Sequence, residues 1–192
     1  MKLILSSCDF SNEASANFIK EHLQVPLEEC RVLFFPNEKG LEMSIRKSKY
    51  VKRLEGYGFD RSKVYVFDYS CPQAFENLEI DAVYISGGNT FGTLKRIRDA
   101  GFEDKIREYV KDGVVYIGGS AGAHIACGDI SHVEKYDENK VGLTPLVGLG
   151  LYRGRIVCHF TEERREHFEM LKREGRRNVI SLTDSQSVCI EL

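Results

Sequence analysis

The chain is poor in the features that mark several functional classes. It has four prolines among 192 residues, too few for a disordered linker, and no repeat or low-complexity run. Positive charge is not in excess. The 27 Lys and Arg are balanced by 29 Asp and Glu, for a formal charge of −2. No basic surplus is available to neutralise phosphates, so nucleic acid is not expected as a partner. The local basic runs Arg46-Lys47-Ser48-Lys49 and Arg164-Arg165 have acidic residues close by and read as solvated helix faces. Long hydrophobic runs are missing too. The apolar start of MKLILSSCDF breaks at once into polar residues and is too short for a signal-peptide core or a membrane span. It reads as a first buried strand, and a cytoplasmic protein without a membrane partner is expected. Cys8, Cys30, Cys71, Cys127, Cys158 and Cys189 are scattered, with no CxxC pair. That speaks against zinc binding and points to reduced thiols in a cytosol. No metal and no organic cofactor are expected.

What remains is an ordinary globular composition, 42% hydrophobic and 29% charged, of a length that fits one domain spanning 1–192. Short runs rich in β-branched and aromatic residues recur at Lys2-Ser6, Arg31-Pro36, Lys63-Tyr69, Ala82-Ser86, Val114-Ile117 and Arg155-His159. They are almost continuously apolar, the mark of strands covered on both faces. Helical patterns separate them. Ser11 is placed to cap a helix running to about Leu23, with Ala14, Phe18 and Leu23 on one face. Leu41, Ile45 and Val51-Leu54 mark a second helix ending near Gly56. Leu94, Ile97, Ile106, Tyr109 and Val110 mark a pair of helices broken around Gly101. Thr161 with Glu162 and Glu163 opens a last helix that Gly175 can end. The segment Ser131–Gly150 reads as loop with room for a short strand, and Val179–Leu192 as two strands around Asp184-Ser185. The fold class is therefore α/β, a doubly wound, mostly parallel sheet with helices on both faces. In such sheets ligands bind beyond the carboxyl ends of the strands.

Two glycine turns stand there. The first is Gly118-Gly119-Ser120-Ala121-Gly122, a G-x-S-x-G pattern between a strand and the helical Ala123-Cys127. A serine on such a turn is held in a strained conformation, and its neighbours at ±2 must be small to let strand and helix cross. Ser120 is the candidate nucleophile; the alternative is a turn that only binds a phosphate or carboxylate. The second turn is Ser86-Gly87-Gly88-Asn89-Thr90-Phe91. Acyl transfer needs two N–H donors aimed at the developing oxyanion, and Gly88 and Ala121 are the candidates. The alternative is a plain turn capped by Asn89 or Thr90. A serine needs a base. His159 ends an apolar strand and is preferred; His124, four residues after Ser120, would instead line the pocket. His22, His132 and His167 are read as surface residues. For the carboxylate that orients the base, Asp184 is the first choice, with Asp137, Asp129 and Glu191 left open. The order Ser, His, acid differs from the Ser, acid, His order of ordinary α/β-hydrolases.

Together, Gly87-Gly88-Asn89-Thr90, then Gly119-Ser120-Ala121-Gly122-Ala123, then His159-Phe160-Thr161 resemble the peptidase E family of aspartyl dipeptidases. That family is similar in architecture to class I glutamine amidotransferases, a flavodoxin-like three-layer sandwich, with serine in place of their elbow cysteine. The resemblance spans nearly the whole chain. It implies a serine-type peptidase acting on small peptides through an acyl-enzyme, with Ser120 as nucleophile, His159 as base and an acidic third member. It also implies an arginine after the histidine that holds the substrate. Here the connection is short, and Arg164 and Arg165 are the nearby candidates, with Asn89 and His124 as further substrate contacts. A monomer or homodimer is expected. Two other readings stand beside this one: a related amide hydrolase of the cyanophycinase kind, and a non-catalytic binder of small acidic ligands on the same fold.

Overall fold

The apolar runs become strands whose side chains alternate between two cores, as the two-residue period of a pleat requires. The computed structural model describes residues 1–37, 43–174 and 178–192, and of residues 43–49 the backbone alone. The expected helix-start residues Leu41 and Ile45, the basic run Arg46-Lys49 and the helix-ending Gly175 therefore lie outside the described residues or side chains. Eight strands are described: β1 (Lys2–Ser6), β2 (Val32–Phe35), β3 (Val64–Val66), β4 (Ala82–Ile85), β5 (Val115–Gly119), β6 (Arg155–Val157), β7 (Val179–Ser181) and β8 (Ser187–Glu191). Six form the main sheet in the order β3-β2-β4-β5-β1-β8. All its pairings are parallel except that of β1 with β8.

Leu3, Leu5, Leu33, Phe35, Val83 and Ile85 face one cluster, which holds Leu94 and Ile97 of α3 (Thr90–Asp99) and Ile106 of α4 (Glu103–Lys111). Ile4, Val32, Phe34, Tyr84 and Ile117 face the other, with Ile19 of α1 (Glu13–His22) and Leu54 of α2 (Met43–Tyr57). Helices thus cover both faces in a three-layer α/β arrangement. Burying both faces of a strand is what selects its unbroken Val, Ile, Leu and Phe content. Among the described residues no helix is long and apolar enough to cross a membrane.

Four expectations are corrected. First, Arg155–His159 does not extend the main sheet: β6 is shorter and pairs in parallel with β7 in a separate two-stranded sheet. Second, the cap of α1 is Asn12, whose side chain accepts from Ser15 N, while Ser11 belongs to the preceding 3-10 turn. The buried face of α1 is Ser15 and Ile19, one position round from that expected, and Ala14 is exposed. Third, Ser131–Gly150 forms no strand. It holds a 3-10 turn (Ser131–Lys135) and a single bridge from Val147 to Asp129. Fourth, His132 is not on the surface. It is 5% exposed, with its Nε2 at 2.8 Å from the Ile156 carbonyl.

Candidate active site

Strand β5 ends at Gly119, and α5 (Ala121–Ala126) begins two residues later. Ser120, between them, has φ 47° and ψ −103°. A non-glycine residue there stores about 1–3 kcal/mol of strain, so the flanking structure must over-determine it. Ser120 N–H donates to the Ser6 carbonyl at 2.8 Å, and His124 N–H donates to the Ser120 carbonyl at 3.1 Å. The small neighbours are a steric necessity. A Cβ on Gly122 would come 2.0 Å from the Ile85 carbonyl oxygen, and one on Gly118 would come 2.7 Å from that of Gly122.

The side chain of Ser120 meets His159, with Oγ 2.9 Å from Nε2. His159 lies just beyond β6 and is itself at φ 49°. The hydroxyl of Ser7 accepts its backbone N–H at 2.8 Å. On the far side of the ring, Nδ1 is 2.6 Å from Asp184 Oδ1. A carboxylate only accepts, so Nδ1 carries the proton and Nε2 of the neutral ring presents a lone pair to the Ser120 hydroxyl. The hydrogen bond from His159 holds the Asp184 carboxyl below the usual carboxylate range. Asp184 lies in the turn between β7 and β8, and Ser7 Oγ reaches its Oδ1 at 3.4 Å. Ser7 thus touches both partners from the end of β1.

The other candidate acids are engaged elsewhere. Asp137 Oδ2 accepts from Thr90 N at 2.8 Å and braces the start of α3. Asp129 receives Arg155 Nη2 at 2.6 Å and the Ser131 hydroxyl at 2.7 Å. Burial alone would raise its pKa, but those partners hold it well below the ordinary value. Glu191 pairs with Lys2 at 3.3 Å.

Ser7, Cys8, Asp9, Ser11, Arg53, Gly87, Gly88, Ser120, Asp137 and His159 line a cleft of about 390 Å³, the size of a small ligand. Gly88 is on its wall with φ 151°, where a Cβ would come 2.8 Å from Asn37 Cβ. Ala121, the first residue of α5, is buried. The other expected substrate contacts, Asn89, His124, Arg164 and Arg165, are not among the residues that line this cleft. Asn89 caps α3, its Oδ1 accepting from Gly92 N at 2.8 Å and its Nδ2 donating to the Glu138 carbonyl at 3.0 Å. His124 does not line the cleft. It is 4% exposed, its Nδ1 lies 3.2 Å from Thr90 Oγ1, and its Nε2 has no partner among the described residues. Burial pushes its pKa down to about 3. Arg164 stacks over Tyr136, 4.2 Å from the ring centroid, and donates to the Cys158 carbonyl. Arg165 pairs with Glu162 on the exposed face of α6 (Glu162–Arg173).

Reading from motifs overlooked Ser7, Cys8, Asp9 and Arg53. The first three follow β1, and the rule that ligands gather beyond strand ends pointed to them. Asp9 is 4% exposed and at φ 44°, and burial raises its pKa. Its Oδ2 lies where a Cβ on Gly119 would fall, 2.2 Å from that position. A side chain at position 119 would collide with it. Burial, then the charge of Asp184, pushes the Cys8 thiol up to about 11.

The sequence profile of Peptidase family S51 matches residues 2–191. The chain belongs to that family. Among curated S51-like relatives, peptidase E of Escherichia coli (strain K12 / DH10B) is 40% identical over 103 residues, 54% of this chain and 43% of that protein. The peptidase E of Shigella boydii serotype 18 matches equally. The alignment thus spans less than half the length of the curated relatives. Among solved structures, a protein of Listeria monocytogenes EGD-e provisionally named peptidase E superposes with a TM-score of 0.73 at 23% identity, covering 98% of this chain and 93% of that one. A peptidase from an acI-B1 Actinobacterium gives 0.64 at 16%, covering 99% and 83%. These two show the fold that the chain shares.

Proposed function

We propose that this S51 protein is a serine peptidase that hydrolyses small peptides. The observation that carries the reading is the chain of contacts Ser120 Oγ–His159 Nε2 (2.9 Å) and His159 Nδ1–Asp184 Oδ1 (2.6 Å). It opens on a cleft and is set on a strained elbow. In this reading the Ser120 oxygen attacks the scissile carbonyl while its proton passes to His159 Nε2. The ring then carries both protons, and Asp184 stabilises the resulting imidazolium. Collapse of the tetrahedral intermediate hands the Nε2 proton to the leaving amine. Water, deprotonated by the same nitrogen, releases the acyl group. Gly88 N–H and Ala121 N–H are the proposed oxyanion donors, each supplying roughly 3 kcal/mol of barrier reduction.

The substrate is small in this reading because the cleft is. Its cationic wall residue is Arg53, whose Nε donates to Tyr57 OH at 2.7 Å, so a substrate carboxylate is the proposed partner of the remaining guanidinium N–H groups. The support from relatives is that proteins matching half of this chain are named peptidase E. The test is a fluorophosphonate probe followed by a dipeptide screen. Wild type is expected to be labelled at Ser120 and to release amino acids, and Ser120→Ala to do neither. Equal cleavage by both preparations ends the reading.

A further inference from the structure

Three residues far apart in sequence bring one soft and two harder metal-ligand atoms together at the back of the His159 ring. Cys8 Sγ lies 4.0 Å from His159 Nδ1, and Asp184 Oδ1 lies 2.6 Å from the same nitrogen. All three ligand atoms fall within 4.8 Å of one another. We propose that Cys8, His159 Nδ1 and Asp184 form an inhibitory site for a zinc-like divalent cation. The proposal rests on the peptidase reading only for its inhibitory consequence, not for binding.

Ligand type and reach both fit. Thiolate, imidazole and carboxylate are the three ligand classes that zinc takes, with bonds of about 2.3, 2.0 and 2.1 Å. A tetrahedral ion with those bonds separates sulfur from nitrogen by roughly 3.6 Å and nitrogen from oxygen by roughly 3.4 Å. Cys8 must therefore approach by a few tenths of an ångström, and the Asp184 oxygen must withdraw by less than one. The Asp184 side chain is 65% exposed and free to turn. The fourth position is left to water, as in sites that keep an open coordination position. The Ser7 hydroxyl, 3.4 Å from both Nδ1 and Oδ1, is placed to hydrogen-bond to the ligands. No CxxC spacing announces this site, because the fold and not the local sequence assembles it.

The chemistry follows from the tautomer. The metal takes the Nδ1 lone pair, so the ring's one proton moves to Nε2, and the Cys8 thiol releases its proton to solvent. Three ligand bonds form, and the Nδ1–H···Asp184 hydrogen bond is lost. Nε2 now donates to Ser120 Oγ and has no lone pair to accept the nucleophile's proton. Metal binding and general-base function are mutually exclusive on one ring.

The test titrates the intact protein with cadmium chloride, following the ultraviolet sulfur-to-cadmium absorption, and with zinc chloride by calorimetry. One equivalent is expected to bind wild type and Ser120→Ala alike, since Ser120 supplies no ligand. Cys8→Ser and Cys8→Ala, each checked for folding by circular dichroism, are expected to lose the absorption. Both are expected to bind zinc at least about tenfold more weakly. Zinc is also expected to stop peptide hydrolysis by wild type, reversibly with a chelator, with the Cys8 variants resisting. An absorption that survives in both Cys8 variants places the metal at another cysteine and overturns the proposal, as does the absence of binding at millimolar metal. A Cys8-dependent absorption in a protein that neither reacts with fluorophosphonate nor cleaves peptides keeps the site and removes the peptidase. Hydrolysis that continues with zinc bound keeps the peptidase and overturns the inhibitory role proposed for the site.

Discussion

His159 and His124 both contact Ser120, one through its ring and the other through its backbone N–H, and their surroundings differ sharply. His159 is held at a positive φ beside a solvated carboxylate, with a side chain 39% exposed. Its Nδ1 meets the Asp184 carboxylate at 2.6 Å, and its Nε2 meets the Ser120 hydroxyl at 2.9 Å. His124 grows from the helix that starts at Ser120, but helical geometry turns its ring inward to Thr90 and to His132, whose ring centroid is 5.9 Å away. Burial keeps it neutral. In the proposed peptidase, then, nearness to the nucleophile is not enough for a base; the orienting acid and a way to stabilise charge decide the matter.

The sharpest way to break this contrast is to exchange the fates of the two rings. His159→Gln is expected to lower kcat/KM for a cleaved dipeptide by about 10⁴-fold or more, with little change in melting temperature. His124→Gln is expected to leave kcat/KM within about tenfold. Steady-state kinetics beside thermal denaturation reads both; a larger kinetic loss in His124→Gln than in His159→Gln would reverse the assignment. The next effect is that of Asp184→Asn, which removes the charge and invites the wrong tautomer. A loss of roughly 10²- to 10⁴-fold in kcat is expected, smaller than that of His159→Gln because the carboxylate is so exposed. No loss would mean that Asp184 only decorates the ring.

The buried pair sharpens the contrast through pH. His124 and His132 have pKa values lowered by burial to about 3 and about 4. In the unfolded chain each ring binds a proton below about pH 6.5, and in the fold each does so only at those lower values. The unfolded state therefore binds more protons between about pH 6.5 and 4, so stability falls as pH falls through that window, by a few kcal/mol. Asp9, whose pKa burial raises, works in the opposite sense and partly offsets the loss. Urea denaturation from pH 7 to 4 is the measurement, and His132→Gln is expected to flatten the slope. An unchanged slope in that variant would show that the ring is not held neutral.

How much of this was legible beforehand follows from the kind of signal each part leaves. The parallel core was readable because strands buried on both faces must be apolar throughout, as Val32–Phe35 and Ala82–Ile85 are. Ser120 announced itself through glycines that sterics forces into adjacent positions. Contacts built from distant segments left no local trace. Ser7 and Cys8 face His159 only because β1 runs parallel beside β5. Arg53 reaches the cleft from the far end of α2, and no spacing connects it to Ser120. The small β6–β7 sheet was read as part of the large one because periodicity reports burial but not which neighbour does the burying. Likewise, His132 follows an Asp-Ile-Ser turn that looks exposed, and only the packing of that segment against β6 puts the ring inside.

Two arginines offer a last, smaller comparison: Arg165, one of the pair that the resemblance suggested, and Arg53, which lines the cleft wall. Arg165 spends its guanidinium on Glu162, an exposed i,i+3 pair of a kind that adds little to stability, and it is not among the residues that line the cleft. Arg53 lines the cleft with part of its donor set uncommitted by the bond to Tyr57. With dipeptides that carry a free carboxylate, Arg53→Ala is expected to raise KM roughly tenfold at nearly constant kcat, the size of one charge-assisted hydrogen bond lost from ground and transition state alike. Arg165→Ala is expected to change kcat/KM by less than about twofold. Were Arg165→Ala to raise KM and Arg53→Ala to leave it untouched, substrate would have to enter over α6, and the wall next to α2 would be only a boundary.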